Sequence, residues 1–298
     1  VAQHTVLLRA VLVHHGVDRL QHIVFPLQLG LVDNINLFAH DRRHYQPSTQ
    51  IPMTLDISPR RVQRVRHELK RRELHVVRVE RIGAHFNRIT FGGESLADFV
   101  SASFDDHVKF MLDADGAEPV RRDYTPRHHD TAARELTLEF ALHGEGRAAA
   151  WAAQAAPGQS ATIGGPRGSF IVPLDYDWHL LVGDETALPA IHRRLEELPA
   201  GTRAIVLLDV ADAADRRDLC SAAELSVQWV AGTDDLLAAV RALTLPPGEG
   251  YSWCAGEASA MASLRRILVE EKGLDRHAMR VAAYWKRGAT AHHENLED

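Results

Sequence analysis

Residues 121–127 read RRDYTPR, and within them Arg122, Tyr124, Thr125 and Arg127 form the pattern R-x-Y-T-x-R. Along an extended strand residues i and i+2 share a face, so Arg122 and Tyr124 can address one ligand together. A flavin dinucleotide asks for this set: a flat surface for its ring, a hydroxyl near its reactive nitrogen, and positive charge at its pyrophosphate. Arginine suits the last role because its planar fork meets phosphate oxygens bidentately. An exposed edge strand with scattered charge would explain the same residues taken alone. The flanking sequence decides between the two.

On either side of this stretch the chain reads as strands. ELHVVRVERI (73–82) and FNRITF (86–91) cluster β-branched residues, and HVKFML (107–112) and ELTLEFAL (135–142) alternate apolar with polar. Short strands parted by Gly, Asp and Pro turns predict an antiparallel barrel or sandwich. One helix interrupts, RAAAWAAQAA (147–156), ending at Pro157-Gly158. Beyond Pro173 the pattern changes. WHLLVG (178–183) is continuously apolar, as for a strand buried on both faces. A helix with Leu188, Ile191, Leu195 and Leu198 at helical spacing comes after it. AIVLLDV (204–210), SVQWV (226–230), DDLLAAVRAL (234–243), YSWCAG (251–256), a helix over 259–272 and MRVAAYW (279–285) continue the alternation. Strand–helix repetition predicts a parallel sheet. The fold class is therefore an antiparallel β-barrel domain, residues 59–173, followed by a Rossmann-like parallel α/β domain, residues 176–298.

Bulk properties bound the function. A chain of 298 residues favours two domains, and 45% hydrophobic with 25% charged residues is an ordinary globular balance. A formal charge of −6 argues against general nucleic-acid binding. The two cysteines, Cys220 and Cys254, are too few for an iron–sulfur cluster or a disulfide scaffold, which fits a reducing cytoplasm. No apolar run is long enough to span a bilayer. Residues 1–52 stand apart: apolar patches alternate with His4, His14, His15, His22, His40 and His44, without metal-ligand spacing or the layout of a secretory signal. The chain changes character at Met53, so residues 1–52 are expected to be a non-native or poorly ordered extension.

Further motifs lie where ligands bind. LHGEGRAAAW (142–151) places glycines and His143 before a helix start, whose unpaired N–H groups suit phosphate. Gly146, Ala148 and Ala149 belong to that turn. Trp151 lies just beyond it and reads equally as core. In GGPRGSF (164–170), Gly168 and Ser169 either border the ligand or make a tight exit from the barrel. VGDETALPA (182–190) and WCAGE (253–257) sit at strand ends, the edge at which α/β sheets bind nucleotides. Gly183, Asp184, Glu185, Thr186, Gly256 and Glu257 are the candidates there, although Asp184 or Thr186 could serve only as a cap. Asp209, near the end of the second strand, would accept from a ribose hydroxyl and repel a 2′-phosphate, which leans towards NADH over NADPH.

Residues 59–298 resemble the siderophore-interacting protein family, within the ferredoxin–NADP reductase superfamily. The pieces occur in family order: SPRRVQRVRHELK, RRDYTPR, LHGEG with Trp151, Pro157-Gly158, GPRGSF, GDETALPA, AGE, and Tyr284-Trp285 with Gly288. The resemblance implies FAD on the barrel and reduction of ferric siderophores in the cytoplasm, with NADH, NADPH or a redox protein as donor. It implies FAD contacts from Arg122, Tyr124 and Thr125, with Thr125 nearest the reactive flavin nitrogen. His143 and the Ala148–Ala149 turn are then assigned to the pyrophosphate or adenine side. Two departures stand out. Arg147, Ala148 and Ala149 occupy positions where the family often has Pro-Ala-Ser, and Ala283 replaces a frequent Gly.

For an anionic ferric chelate a basic rim is expected. Lys286, Arg287, Arg265 and Arg266 are the candidates, with Arg60, Arg61 and Arg64 as a second group. No general base, covalent nucleophile or resident metal is required. Two other readings share these motifs: a reductase feeding a ferredoxin or oxygenase partner, and a siderophore-binding flavoprotein without catalysis.

Overall fold

The computed structural model describes residues 61–112, 120–142, 146–289 and 294–296, all within the unit Ile57–Asp298. The expected extension over residues 1–52 lies outside them. After a short strand β1 (Gln63–Arg66), the first half runs β2 (Arg71–Ile82), β3 (Phe86–Gly92), β4 (Val108–Leu112), β5 (Val120–Tyr124), β6 (His128–Asp130) and β7 (Glu135–Ala141). Helix α1 (Arg147–Ala153), β8 (Ser160–Gly164) and β9 (Gly168–Ile171) complete it. Seven of these strands form one antiparallel sheet in the order β5-β4-β8-β2-β3-β7-β6, while β1 pairs with β9. The sheet curls on itself: the rings of Tyr124 on β5 and Phe140 on β7 are 4.2 Å apart, although four strands lie between them. Val76, Ile89, Phe91, Phe110, Leu136 and Leu138 fill the interior.

The alternation read in 135–142 holds for one face only. Leu136, Leu138 and Phe140 point inward, but Thr137 and Glu139 are buried as well. The second half of the molecule covers that outer face, with Arg217 reaching Glu139. Helix α1 ends at Ala153, short of the expected 156, because the chain turns there to let Gly158 N–H donate to Val76 O at 2.8 Å.

The second half comprises β10 (Trp178–Asp184), α2 (Leu188–Glu197), β11 (Arg203–Asp209), β12 (Glu224–Val230), α3 (Thr233–Ala242), β13 (Gly250–Glu257), α4 (Ala258–Arg266), β14 (Met279–Trp285) and β15 (Glu294–Asn295). The helix expected over 259–272 is α-helical to Arg266 and continues as one wider π turn, Ile267–Glu271. The sheet order is β12-β11-β10-β13-β14-β15, parallel except for β15. Every residue of β13 is buried, Ser252 and Glu257 included, as for a central strand covered on both faces. Strand order reverses between β10 and β13, so a crevice opens at their carboxyl ends, the place where open α/β sheets take ligands.

The halves are joined by polar bolts rather than by apolar contact alone. Helix α2 presents Leu188, Ile191 and Leu195 to the sheet, yet Arg193 and Arg194 are buried too. Arg193 donates to Ser101 Oγ (2.8 Å), Ser101 O (3.0 Å) and Pro126 O (2.8 Å), and Arg194 to Val172 O (3.1 Å) and Pro173 O (2.7 Å). Buried guanidinium groups are tolerable only with such partners. They tie α2 to Ser101, to Pro126 and to the Val172–Pro173 exit of the barrel.

Candidate functional site

A cavity of about 700 Å³ runs between the two halves. Its barrel wall is built from β5, β7 and the start of α1: Arg122, Asp123, Tyr124, Thr125, Glu139, Gly146, Ala148 and Ala149 all line it. Tyr124 is held edge-on to Phe110 (5.8 Å) and against Phe140, so its ring is fixed in place. Burial pushes its hydroxyl well above the usual tyrosine range, against the pull of Arg122. The Arg122 guanidinium donates to Arg121 O (2.9 Å). Two acids on this wall are already matched. Asp123 accepts from Lys109 at 2.6 Å, and Glu139 accepts from Arg88 at 2.8 Å and from Arg217. Burial alone would raise the Glu139 carboxyl, but Arg217 and Arg88 outweigh it and hold it below the usual range.

The opposite wall is the carboxyl edge of the parallel sheet, with Asp184, Glu185, Thr186, Asp209, Gly232, Thr233 and Glu257. Asp184 is its hub. Its Oδ1 accepts from Thr186 N (2.9 Å) and Thr186 Oγ1 (2.5 Å), and its Oδ2 from Glu257 N (2.9 Å) and Trp285 Nε1 (2.8 Å). One carboxylate thus ties the ends of β10, β13 and β14. Burial raises the Asp184 carboxyl, with Thr186 and Trp285 pulling the other way. Glu257 caps α4 by accepting from Ser259 N (2.8 Å) and Ala260 N (3.1 Å), and it also receives Arg287 N (3.3 Å). Asp209 Oδ1 accepts from Gly232 N at 2.7 Å. Burial, with Glu185 and Asp235 nearby, lifts the Asp209 carboxyl, and the Gly232 N–H lowers it.

Several residues expected at the ligand stand elsewhere. Arg127, beyond the end of β5, does not line the cavity and makes a bidentate pair with Glu196 on α2 (2.7 and 2.6 Å). Trp151 stacks on Phe91 at 6.2 Å as part of the barrel packing. Ser169 is buried, donating to Asp106 Oδ2 at 2.7 Å, and Gly168 lies in the β1–β9 ribbon, where a Cβ would come within 2.3 Å of Val65 O. Gly183 and Gly256 lie beneath the wall: a Cβ on Gly183 would meet Ala187 Cβ at 2.4 Å, and one on Gly256 would meet Asp184 Oδ2 at 2.6 Å. Of the rim candidates, Arg287 lines the cavity. Lys286 is exposed outside it, and Arg265 and Arg266 sit at the far end of α4. Arg61 stacks on Tyr176 and pairs with Glu249 (2.7 Å), and Arg64 lies over Phe170. His143 and Arg60 lie outside the described residues.

The structure also adds residues that sequence reasoning passed over: Phe86, His107, Asp123, Glu139, Tyr284 and Trp285 as cavity lining. Tyr284 and Trp285 were visible as a motif without a role, and His107 as the first residue of the strand read over HVKFML (107–112). No pattern in either stretch points across the domain interface.

An antiparallel barrel bearing R-x-Y-T, set against the carboxyl edge of a parallel α/β sheet, is the ferredoxin-reductase-like architecture. The chain belongs to the siderophore-interacting protein family: the family's FAD-binding domain matches residues 75–120 and 113–170, and the siderophore-interacting protein domain matches 176–288. It is 38% identical over 250 residues to the NADPH-dependent ferric-chelate reductase of Escherichia coli K12, covering 76% of this chain and 98% of that protein. The ferric vibriobactin reductase of Vibrio cholerae is 31% identical over 251 residues, covering 75% and 93%. A siderophore utilization protein from T. fusca has a solved structure that superposes with a TM-score of 0.72 at 35% identity, covering 79% of this chain and 98% of that one.

Proposed function

We propose that this protein is an FAD-dependent reductase of ferric siderophores that releases iron(II), with NADH as its preferred donor. The observation that carries this reading is the single cavity in which Arg122, Tyr124 and Thr125 on the barrel face Asp184, Glu185, Asp209 and Glu257 on the sheet edge. The names of the Escherichia coli and Vibrio cholerae relatives support the substrate class.

The barrel wall fits FAD. Its two acids are neutralised by their own cations, so Arg122 remains to meet a pyrophosphate. Small residues at Gly146, Ala148 and Ala149 let a ligand reach the backbone of the α1 start. Tyr124 offers a fixed aromatic edge, and Thr125 a hydroxyl beside it. When bound, FAD supplies the redox chemistry, accepting a hydride and giving up electrons singly to iron(III). The chain's own residues orient and bind. On the sheet edge, Asp184 keeps Thr186 and Trp285 in place for the donor, and Asp209 with Glu185 receives a ribose hydroxyl. A 2′-phosphate would meet like charge there, which favours NADH. The Escherichia coli relative is named for NADPH, whereas Asp209 and Glu185 are what favour NADH in this reading. A cytoplasmic setting fits the unpaired Cys220 and Cys254. Among the described residues no helix is long and apolar enough to cross a membrane.

The test is anaerobic stopped-flow absorbance of the flavin-loaded protein mixed with NADH or NADPH, then with a ferric siderophore and an iron(II) trap. Bleaching followed by reoxidation with trapped iron(II) is expected. Flavin that neither nucleotide bleaches would move the donor to a protein such as a ferredoxin. A protein that takes up no FAD would end the reading.

A further inference from the structure

The β2–β3 hairpin of the barrel meets the stretch after β11 at the seam between the two halves. Phe86 and Ala211 line the cavity, and their chain neighbours His85 and Asp212 converge with Asp215 on one point. One imidazole nitrogen or carboxylate oxygen from each of the three lies within 4.8 Å of the other two. Among the described residues this is the one group of His, Cys, Asp and Glu side chains whose ligand atoms come so close together. The imidazole belongs to the barrel and both carboxylates to the parallel-sheet half.

Local backbone aims the three groups at one another. Asp215 is buried; its Oδ1 accepts from Ala84 N and His85 N, both at 2.8 Å, and its Oδ2 lies 2.7 Å from His85 Nδ1. Asp212 caps the short turn Ala213–Asp215 by accepting Ala214 N on Oδ1 at 2.9 Å, and its Oδ2 lies 3.8 Å from the same Nδ1. Each carboxylate therefore has one oxygen fixed by backbone and the other directed to the imidazole. The hairpin is pressed close: Gly83 has φ of +61°, and a Cβ there would come within 2.5 Å of Ala214 O. An ion pair accounts for His85 with Asp215. It does not account for a second carboxylate turned to the same nitrogen. Donor atoms stand about 2.0–2.2 Å from a first-row divalent ion, hence roughly 3 Å from one another. The separations of 2.7 and 3.8 Å bracket that spacing. The His85 and Asp212 side chains are 44% and 46% exposed, which gives an ion a route in and leaves positions for water. Nearby arginines are engaged elsewhere: Arg81 donates to Ala84 O, and Arg217 pairs with Glu139 and lies over Phe86.

We propose that His85, Asp212 and Asp215 form a binding site for one divalent first-row transition ion that clasps the barrel to the parallel-sheet half. One imidazole nitrogen with two carboxylate oxygens suits manganese(II), iron(II) or zinc(II), and disfavours magnesium and calcium, which take oxygen ligands. The two carboxylates balance the charge of the ion. On binding, Nδ1 exchanges its contact with Asp215 for the metal bond, and the ring carries its N–H on Nε2. The site stands independently of the reductase reading. Two sources share its chemistry: iron(II) released by a reductase, and zinc(II) or manganese(II) held in the protein as made.

The experiment titrates the metal-stripped, FAD-loaded protein with manganese(II), read by loss of the free ion's electron paramagnetic resonance signal. Zinc(II) and, anaerobically, iron(II) are then added as competitors. One ion per chain should bind, displaced by either competitor and not by magnesium(II). Asp212→Asn keeps an acceptor for Ala214 N and should weaken manganese(II) at least about tenfold, as should His85→Gln. Both variants should keep their FAD, and Asp215 is left intact because it holds the hairpin. Manganese(II) should raise the unfolding midpoint of wild type by several degrees and leave that of either variant unmoved. Elemental analysis before stripping separates the sources. Zinc or manganese found there marks a held ion, and a site filled only when iron(II) is supplied marks the reductase product; each supports the site. Absence of saturable binding with all three ions, or manganese(II) affinity unchanged in Asp212→Asn or in His85→Gln, would overturn the proposal.

Discussion

The barrel wall of the cavity offers Arg122, an uncapped helix start and matched acids, whereas the sheet-edge wall offers Asp184, Glu185, Asp209 and Glu257. In the proposed reading the first wall takes a ligand with charged phosphates that stays bound. The second takes hydroxyls of a ligand that leaves after each turnover. The walls also differ in how they are held. Tyr124 is fixed by apolar packing on Phe110 and Phe140, and Trp285 by a hydrogen bond to one buried carboxylate. A cofactor platform backed by packing should tolerate loss of any one polar contact. A donor platform tied to a single hub should not.

The sharpest way to break this contrast is Asp184→Ala. It leaves the Thr186, Glu257 and Trp285 donors without their acceptor and should cost about 3 kcal/mol of stability. Urea unfolding would measure it, and a shift of tryptophan emission would report the release of Trp285. On the other wall, Arg122→Ala should weaken FAD by about 2 kcal/mol, roughly thirtyfold, with little change in unfolding midpoint. Flavin fluorescence titration checks this, and full flavin retention would refute the phosphate role.

The sheet also carries a large pH effect. Burial, reinforced by Arg194, lowers the pKa of His179 on β10 to about 3. The unfolded chain therefore binds the extra proton between about pH 6.5 and that value, so stability present above pH 6.5 is lost as pH falls. Between pH 7 and pH 5 the loss from this residue should be about 2 kcal/mol, and His179→Gln should flatten the slope of unfolding midpoint against pH. Asp209→Ser is a smaller step. It should raise the NADPH-to-NADH ratio of kcat/KM about tenfold. Smallest of all, Arg78→Ala removes an exposed bidentate pair with Glu135 on the barrel surface (2.9 and 2.8 Å) and should cost less than about 1 kcal/mol.

Much of the fold was legible because burial writes periodicity into sequence. The alternating Leu136, Leu138 and Phe140 announce a strand, although both of its faces prove buried, and the unbroken run WHLLVG (178–183) announces a strand covered on both faces. RRDYTPR assigned Arg122, Tyr124 and Thr125 to one wall, and GDET assigned Asp184, Glu185 and Thr186 to the other. These readings rest on contacts between residues near in the chain. Arg127 stands away from the cavity for a distant reason, its pair with Glu196 on α2, which no local pattern announces. Gly183 and Gly256 were read as ligand contacts, but they serve the close approach of β10 and β13 to their neighbours.

What the sequence determined by itself was the order of the two domains, the strand and helix types, and the motif on each side of the cavity. Only the tertiary structure decided that Arg193 and Arg194 bolt the halves together, that one carboxylate, Asp184, ties three strand ends, and that His107 faces the cavity. The physical reason is range. Periodicity and capping act within a turn or a strand, whereas the partner of a buried charge is chosen by the packing of segments far apart in the chain.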